Sequence, residues 1–356
     1  MKKLLLFSLL FFLFVGKVSA STSTASSYVL MDMTTGRVLE GKNYNNPYLI
    51  ASITKIMTCL LAIESNKLDD IVVVDDVIHD SYGSGIYIEV GEELTLRDLL
   101  YGLMLRSGND AALMVAKYVS GDVESFVKMM NYKTKEIGMS NTLFTNPSGL
   151  DNTDSGNYST SYDMALLTRY AMKYDEYRKI VSTKTYKLKT NKKSYIWKNK
   201  NKLLQYDYIT GGKTGYTEKA KRTLVSTASY NNIDLIVVTI RDSDDWNTHK
   251  SLYENTFSSY KAFKVLNKKN FDVVGDKFYD GDFYIKNDVY IPIRNNELNN
   301  LIGKIKLDGK KGYKNKDKVG EYLIYLDDLY LYSEDIYIKN VKKKSKILSI
   351  FKENIL

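Results

Sequence analysis

The rhythm of apolar and polar positions changes repeatedly along this chain, and each change marks a different element. Residues 4–15 are an unbroken apolar run behind Lys2 and Lys3. Val18-Ser19-Ala20 then offers a small-residue cleavage site, so residues 1–20 read as a secretory signal peptide. The run is too short for a comfortable membrane span, and the mature chain is expected to begin near Ser21. Residues 28–32 and 37–40 are β-type runs joined at Thr34-Thr35-Gly36, a hairpin pattern. Asn45-Asn46-Pro47 reads as loop. Residues 56–63 then form an apolar helical run directly behind Ala51-Ser52-Ile53-Thr54-Lys55.

Residues 71–74 are a strand candidate, and turns flank residues 86–88. Thr95 is placed to cap a helix whose Leu96, Leu99, Leu100, Leu103 and Met104 share one face, with Asp98 as its capping partner. That helix stops at Arg106-Ser107-Gly108-Asn109, and another opens at Asp110. Residues 141–150 read as loop and 162–172 as helix; residues 179–202 are basic, with β-like alternation near Tyr186. Strands at 223–229 and 235–240 meet at Asn231-Asn232, and residues 209–217 supply an adjoining strand. Residues 248–265 read as helix. Past Asn267 the alternation shortens to runs at 271–274, 282–285, 289–293, 302–305 and 322–325, a small β domain. In the tail, Ile347, Leu348, Ile350, Phe351 and Ile355 share one helical face opposite Lys346 and Lys352. This basic amphipathic helix reads as a membrane-surface anchor. The organisation expected is a signal peptide (1–20), a main domain (21–265), a β-rich domain (266–340) and the terminal helix (341–356).

Charge and composition narrow the picture. A net charge of +9 on an exported chain suits anionic surroundings, a cell wall or lipid head groups. The cations are interleaved with Asp and Glu and no nucleic-acid-binding motif accompanies them, so no nucleic-acid partner is expected. Most of the 30 tyrosines fall in strand-like runs. Cys59 is the single cysteine, so no disulfide can close within the chain. With His79 and His249 as the only histidines, a zinc site is not expected.

The candidate chemistry begins at Ser52. A serine hydroxyl needs a nearby base, and Lys55, three residues on, shares its helical face. A lysine serves as that base once burial or another cation disfavours its charge. The pattern alone is unspecific, since it recurs at Ser125–Lys128, Ser258–Lys261 and Ser349–Lys352. Ser107-Gly108-Asn109 is a tight link between two helices, able to hold Ser107 and Asn109 at the mouth of a cleft; Ser155-Gly156-Asn157 repeats the triplet in a loop. Lys213-Thr214-Gly215 lies on a strand, where the lysine can meet a carboxylate and the glycine lets a ligand backbone come close.

Ser52-x-x-Lys55, Ser107-Gly108-Asn109 and Lys213-Thr214-Gly215, in that order, resemble the penicillin-recognising serine acyl-transferases. The chain is most similar to the D-alanyl-D-alanine carboxypeptidases, the low-molecular-mass penicillin-binding proteins. Residues 107–112, 144–150, 159–164 and 212–217 add to the likeness and select Ser52 and Ser107 over the other serines. The resemblance implies an α/β fold of the α+β type: a β-lactamase/transpeptidase-like catalytic domain with a central antiparallel sheet and a helical cluster, followed by a small all-β domain. It implies that Ser52 attacks the bond between the terminal D-alanines of a peptidoglycan stem peptide while Lys55 takes its proton. The backbone N–H groups of Ser52 and Tyr216 would bind the oxyanion. Ser107 would pass a proton to the leaving D-alanine, and Asn109 would orient Lys55 and hold the substrate amide. Lys213, Thr214 and Gly215 would receive the terminal carboxylate and backbone, with Lys213 also keeping Lys55 neutral. β-Lactam antibiotics would be covalent inhibitors, no cofactor would be needed, and the protein would work at the outer face of the cytoplasmic membrane or in the wall. Two alternatives remain: a β-lactamase, although its Glu-x-x-Leu-Asn segment is missing between Ser107 and Lys213, and a wall-binding protein with a relic site.

Overall fold

In the computed structural model, residues 23–152, 155–309 and 311–341 are described. The expected signal peptide lies outside them, as does the expected terminal helix beyond Val341. Strands β1 (Ser27–Asp32), β2 (Val38–Lys42), β3 (Ile209–Thr217), β4 (Lys221–Tyr230) and β5 (Ile233–Ile240) form one sheet in the order β2-β1-β5-β4-β3, antiparallel throughout. Both faces are covered. Along β1, Val29 and Met31 enter one apolar cluster while Tyr28 and Leu30 enter another on the opposite face. This is the period-two division of a strand buried on both sides. The turn from β4 to β5 is Asn231-Asn232, both at positive φ (49° and 61°), the backbone that matches the twist of a tight hairpin.

The helical cluster fills one face: α1 (Lys55–Glu64), α2 (Leu96–Tyr101), α3 (Asn109–Ser120), α4 (Val123–Ile137), α5 (Ser161–Ala171) and α6 (Asp175–Ser182). Helix α1 is buried from Lys55 to Ile63, as expected of a helix apolar all round. Burying each of its large aliphatic side chains contributes about 1.5–3 kcal/mol. Thr95 caps α2 as its sequence suggests: its hydroxyl accepts from the Asp98 N–H, and the Asp98 carboxylate accepts from the Thr95 N–H. The opposite face is closed by α7 (Asp245–Ser259), through Leu252 and Tyr253.

Some expectations are corrected. The helix expected over 248–265 begins at Asp245 and ends at Ser259; a strand, Lys261–Leu266, follows it. The Ser258 and Ser259 hydroxyls turn back to the Asn255 carbonyl, and Val289–Ile293 then captures the chain by pairing. Of the run 271–274, only Phe271 pairs, as an isolated bridge to Phe283. Helix α4 and the strand Leu329–Lys339 were not read from the pattern. The latter belongs to a four-stranded antiparallel sheet with Asp282–Tyr284, Lys318–Leu326 and Leu301–Leu307. Arg37, just before β2, forms an ion pair with Glu297 of this β-rich part.

Candidate active site

Ser52 does not sit in a regular α-helical turn. Ala51–Thr54 is a 3-10 turn that runs directly into α1, and in such a turn positions three apart eclipse each other. Lys55 Nζ therefore stands 3.1 Å from Ser52 Oγ. The same ammonium nitrogen lies 2.8 Å from Asn109 Oδ1 and 2.5 Å from the Ser148 carbonyl. Ala51 holds a left-handed backbone (φ 49°), sterically unfavourable for a residue with a Cβ. Its packing partner is Gly149, at φ 83°, where any Cβ would overlap the Ala51 carbonyl. Asn157 braces the same loop: its Oδ1 accepts from the Thr145 N–H and its Nδ2 donates to Thr54 Oγ1. The second Ser-Gly-Asn triplet thus contributes a buried scaffold residue.

The first triplet stands opposite. The helix α2 passes into a π segment, Gly102–Arg106, which ends on Ser107 in the left-handed region (φ 63°). Gly108 then turns the chain into α3, so Asn109 opens that helix facing Lys55. The Asn109 amide donates to the Tyr82 carbonyl at 2.5 Å, which fixes which end faces the lysine. The carboxylate of Asp110 accepts from the N–H groups of Ile86 and Tyr87 and pins the neighbouring loop.

The third motif lies on β3, the free edge of the sheet. Lys213 Nζ donates to Ser107 Oγ at 3.0 Å and to the Thr214 carbonyl at 2.6 Å. Gly215 is close-packed: a Cβ there would come within 3.0 Å of the Ser52 nitrogen and 3.1 Å of the Ile53 nitrogen. All three motifs meet, bridged by two lysines that are 0% and 1% exposed. Burial pushes Lys55 down to about 7, with the positive charge of Lys200 adding to it and Asp110 opposing. Burial also holds Lys213 well below the ordinary amine range, helped by the charges of Lys55 and Lys200.

These groups border a cavity of about 340 Å³ whose wall includes Ser52, Ser107, Lys200, Thr214, Tyr216 and Arg222. Lys213 is buried and meets this wall through its hydrogen bond to Ser107. Sequence reasoning missed Lys200, Arg222 and Asp245. Lys200 reaches the site because its backbone N–H bonds to Leu105 and its ammonium to Ser84 Oγ, a placement no local pattern announces. Among the described residues no group of three His, Cys, Asp or Glu side chains is placed to hold a metal.

The sequence profile of the D-alanyl-D-alanine carboxypeptidases matches residues 15–244. The chain belongs to this family. Its carboxypeptidase relatives include DacF of Bacillus subtilis, 40% identical over 229 residues, which are 62% of this chain and 58% of that protein. DacA of Haemophilus influenzae is 31% identical over 73% of this chain and 68% of its own length. Among solved structures, penicillin binding protein 5 of H. influenzae superposes with a TM-score of 0.72 at 28% identity, covering 91% of this chain and 99% of that one. The chain thus spans less than two thirds of the B. subtilis carboxypeptidase. The fold, a central antiparallel sheet with helices, is that of the penicillin-binding carboxypeptidases.

Proposed function

We propose that this protein is a serine-type D-alanyl-D-alanine carboxypeptidase that removes the terminal D-alanine of peptidoglycan stem peptides and is acylated by penicillins. One observation carries the reading: a fully buried lysine amine, pushed down to about 7, stands 3.1 Å from the hydroxyl of Ser52. In its neutral form Lys55 accepts the Ser52 proton as Oγ bonds to the carbonyl carbon. The N–H groups of Ser52 and Tyr216 receive the developing oxyanion. Ser107, bonded to Lys213, passes a proton to the departing amine, so D-alanine leaves neutral at nitrogen and Ser52 stays acylated. Water then reverses the sequence and frees the shortened stem. The incoming carboxylate favours a charged Lys213, and that charge in turn disfavours one on Lys55.

Among the described residues, the one carboxylate on the cavity wall is Asp245, whose two oxygens both accept from Arg222. It is not free to activate water, which argues against the β-lactamase alternative. We further place the protein outside the cytoplasmic membrane, from the signal-peptide pattern, with its basic tail resting on the membrane surface. No helix among the described residues is long and apolar enough to cross a membrane. The test is release of D-alanine from diacetyl-L-lysyl-D-alanyl-D-alanine. The protein is expected to release it and the Ser52→Ala variant to release none; a wild-type protein without release contradicts the reading.

A further inference from the structure

A second cavity, of about 210 Å³, shares with the reaction site Asn109 and Ser148, the two residues that accept from the Lys55 amine. Leu113 and Leu150 supply apolar wall, and among the described residues on that wall Asp80 is the one that carries a charge. Asp80 ends the 3-10 turn Asp76–Asp80, which Ser81 closes by donating its N–H and its hydroxyl to the Ile78 carbonyl. Two residues on, the Tyr82 carbonyl accepts from the Asn109 amide, so the turn is tied to the side chain that faces Lys55. Asp80 itself is exposed and has no ion-pair partner among the described residues. The two cavities therefore differ in sign. The one at Ser52 carries Lys200, Lys202 and Arg222 against Asp245, and the second carries a single carboxylate.

From this arrangement we propose that Asp80 selects stem peptides with a free side-chain amine on the residue before the two D-alanines, by receiving that ammonium in the second cavity. The proposal rests on the carboxypeptidase reading. With the attacked carbonyl at Ser52 and the anionic D-alanine toward the basic cavity, the rest of the stem leaves past Asn109 and Ser148, where the second cavity lies. The diamino residue is one position from the residue that is acylated. At about 3.8 Å between successive Cα atoms, a four-carbon side chain brings its amine within roughly 10 Å of the attacked carbonyl. Leu113 and Leu150 suit the methylenes of that side chain, while its charged head stays hydrated beside Asp80. Receiving it breaks no ion pair that Asp80 already makes. A substrate charged oppositely at its two ends then meets cavities of matching sign, which fixes its direction in the cleft more than it adds affinity.

The test pairs a protein change with a substrate change. The kcat/KM for Nα-acetyl-L-lysyl-D-alanyl-D-alanine, whose side-chain amine is free, is compared with that for the diacetyl peptide, whose amine is blocked. Wild type should prefer the free amine by about 2- to 5-fold at low ionic strength, the range of an exposed ion pair, and the preference should fade as salt is added. Asp80→Asn should abolish the preference and cleave the diacetyl peptide as wild type does, and Asp80→Glu should keep part of it. If Asp80→Asn does not fold, Asp80→Ser carries the same comparison. A merely structural role for Asp80 would lower both rates alike and leave their ratio unchanged, which overturns the proposal. Equal cleavage of the two peptides by wild type overturns it as well, and either result leaves the carboxypeptidase reading standing. A wild-type protein that cleaves neither peptide overturns that reading and the proposal with it.

Discussion

At the scale of single residues, the account turns on how two buried amines divide one charge. Lys55 faces Ser52, Asn109, the Ser148 carbonyl and, at longer range, Asp110, Lys200 and Lys213. Burial is the largest influence and works against the ammonium form. In the proposed mechanism the free base is the active form, so kcat/KM should fall about tenfold per pH unit below an acid limb near 7. Removing the Lys200 charge with Lys200→Gln should move that limb to higher pH, by roughly half a unit because cleft water screens the interaction. Lys200→Arg should leave it in place. A pH–rate profile checks this, and a limb that does not move in Lys200→Gln contradicts the electrostatic role. His249 behaves differently: it is fully buried between Ser226 and Thr239, and burial pushes it down to about 3. Its partners are two hydroxyls.

At the scale of elements, the catalytic geometry belongs to turns more than to helices. The 3-10 turn at Ala51–Thr54 is held by Gly149, whose missing Cβ lets the Ala51 carbonyl approach. Gly149→Ala would add both a backbone strain at φ 83° and a direct overlap. A displacement near 1 Å at a reacting group can reduce a rate about 100-fold. The second-order rate of acylation by a labelled penicillin should fall by about that factor, with a lowered thermal midpoint. Unchanged acylation would contradict the role given to this contact. These elements also show what a sequence can convey. The motif residues of the three segments were legible because each is a local signature. The cap at Thr95 was legible because Thr and Asp sit three apart. Helix α4 carries equal signals, Asp122 accepting from the Ser125 N–H and Gly138 at φ 86° past its end, but its apolar spacing is weaker than that of α2. The end of α7 was misplaced because strand pairing with Val289–Ile293, rather than local preference, decides where that helix stops. Lys200 and Arg222 were invisible because their significance comes from partners distant in sequence, Ser84 for the one and Asp245 for the other.

At the scale of the molecule, the sheet places its third motif on an edge strand, so among the described residues β3 has no strand partner on its outer side, beside the serine. An extended peptide can add to such an edge, which suits the proposed stem-peptide substrate. The helical cluster supplies the other wall, and the lysine pair ties the two halves through Ser107, Asn109 and Ser148. Among the described residues the β-rich part contributes none to the cavity wall; it follows α7 in the chain and pairs with the main body through Arg37 and Glu297. The central claim is that this assembly makes Ser52, among all the serines of the chain, the nucleophile. The most direct measurement is mass spectrometric mapping of the adduct formed with a labelled penicillin, on the wild-type protein and on Ser52→Ala. The account predicts one acyl group per chain, located on the peptide bearing Ser52 and lost in the variant. An adduct on any other residue, or labelling that survives in Ser52→Ala, would contradict it.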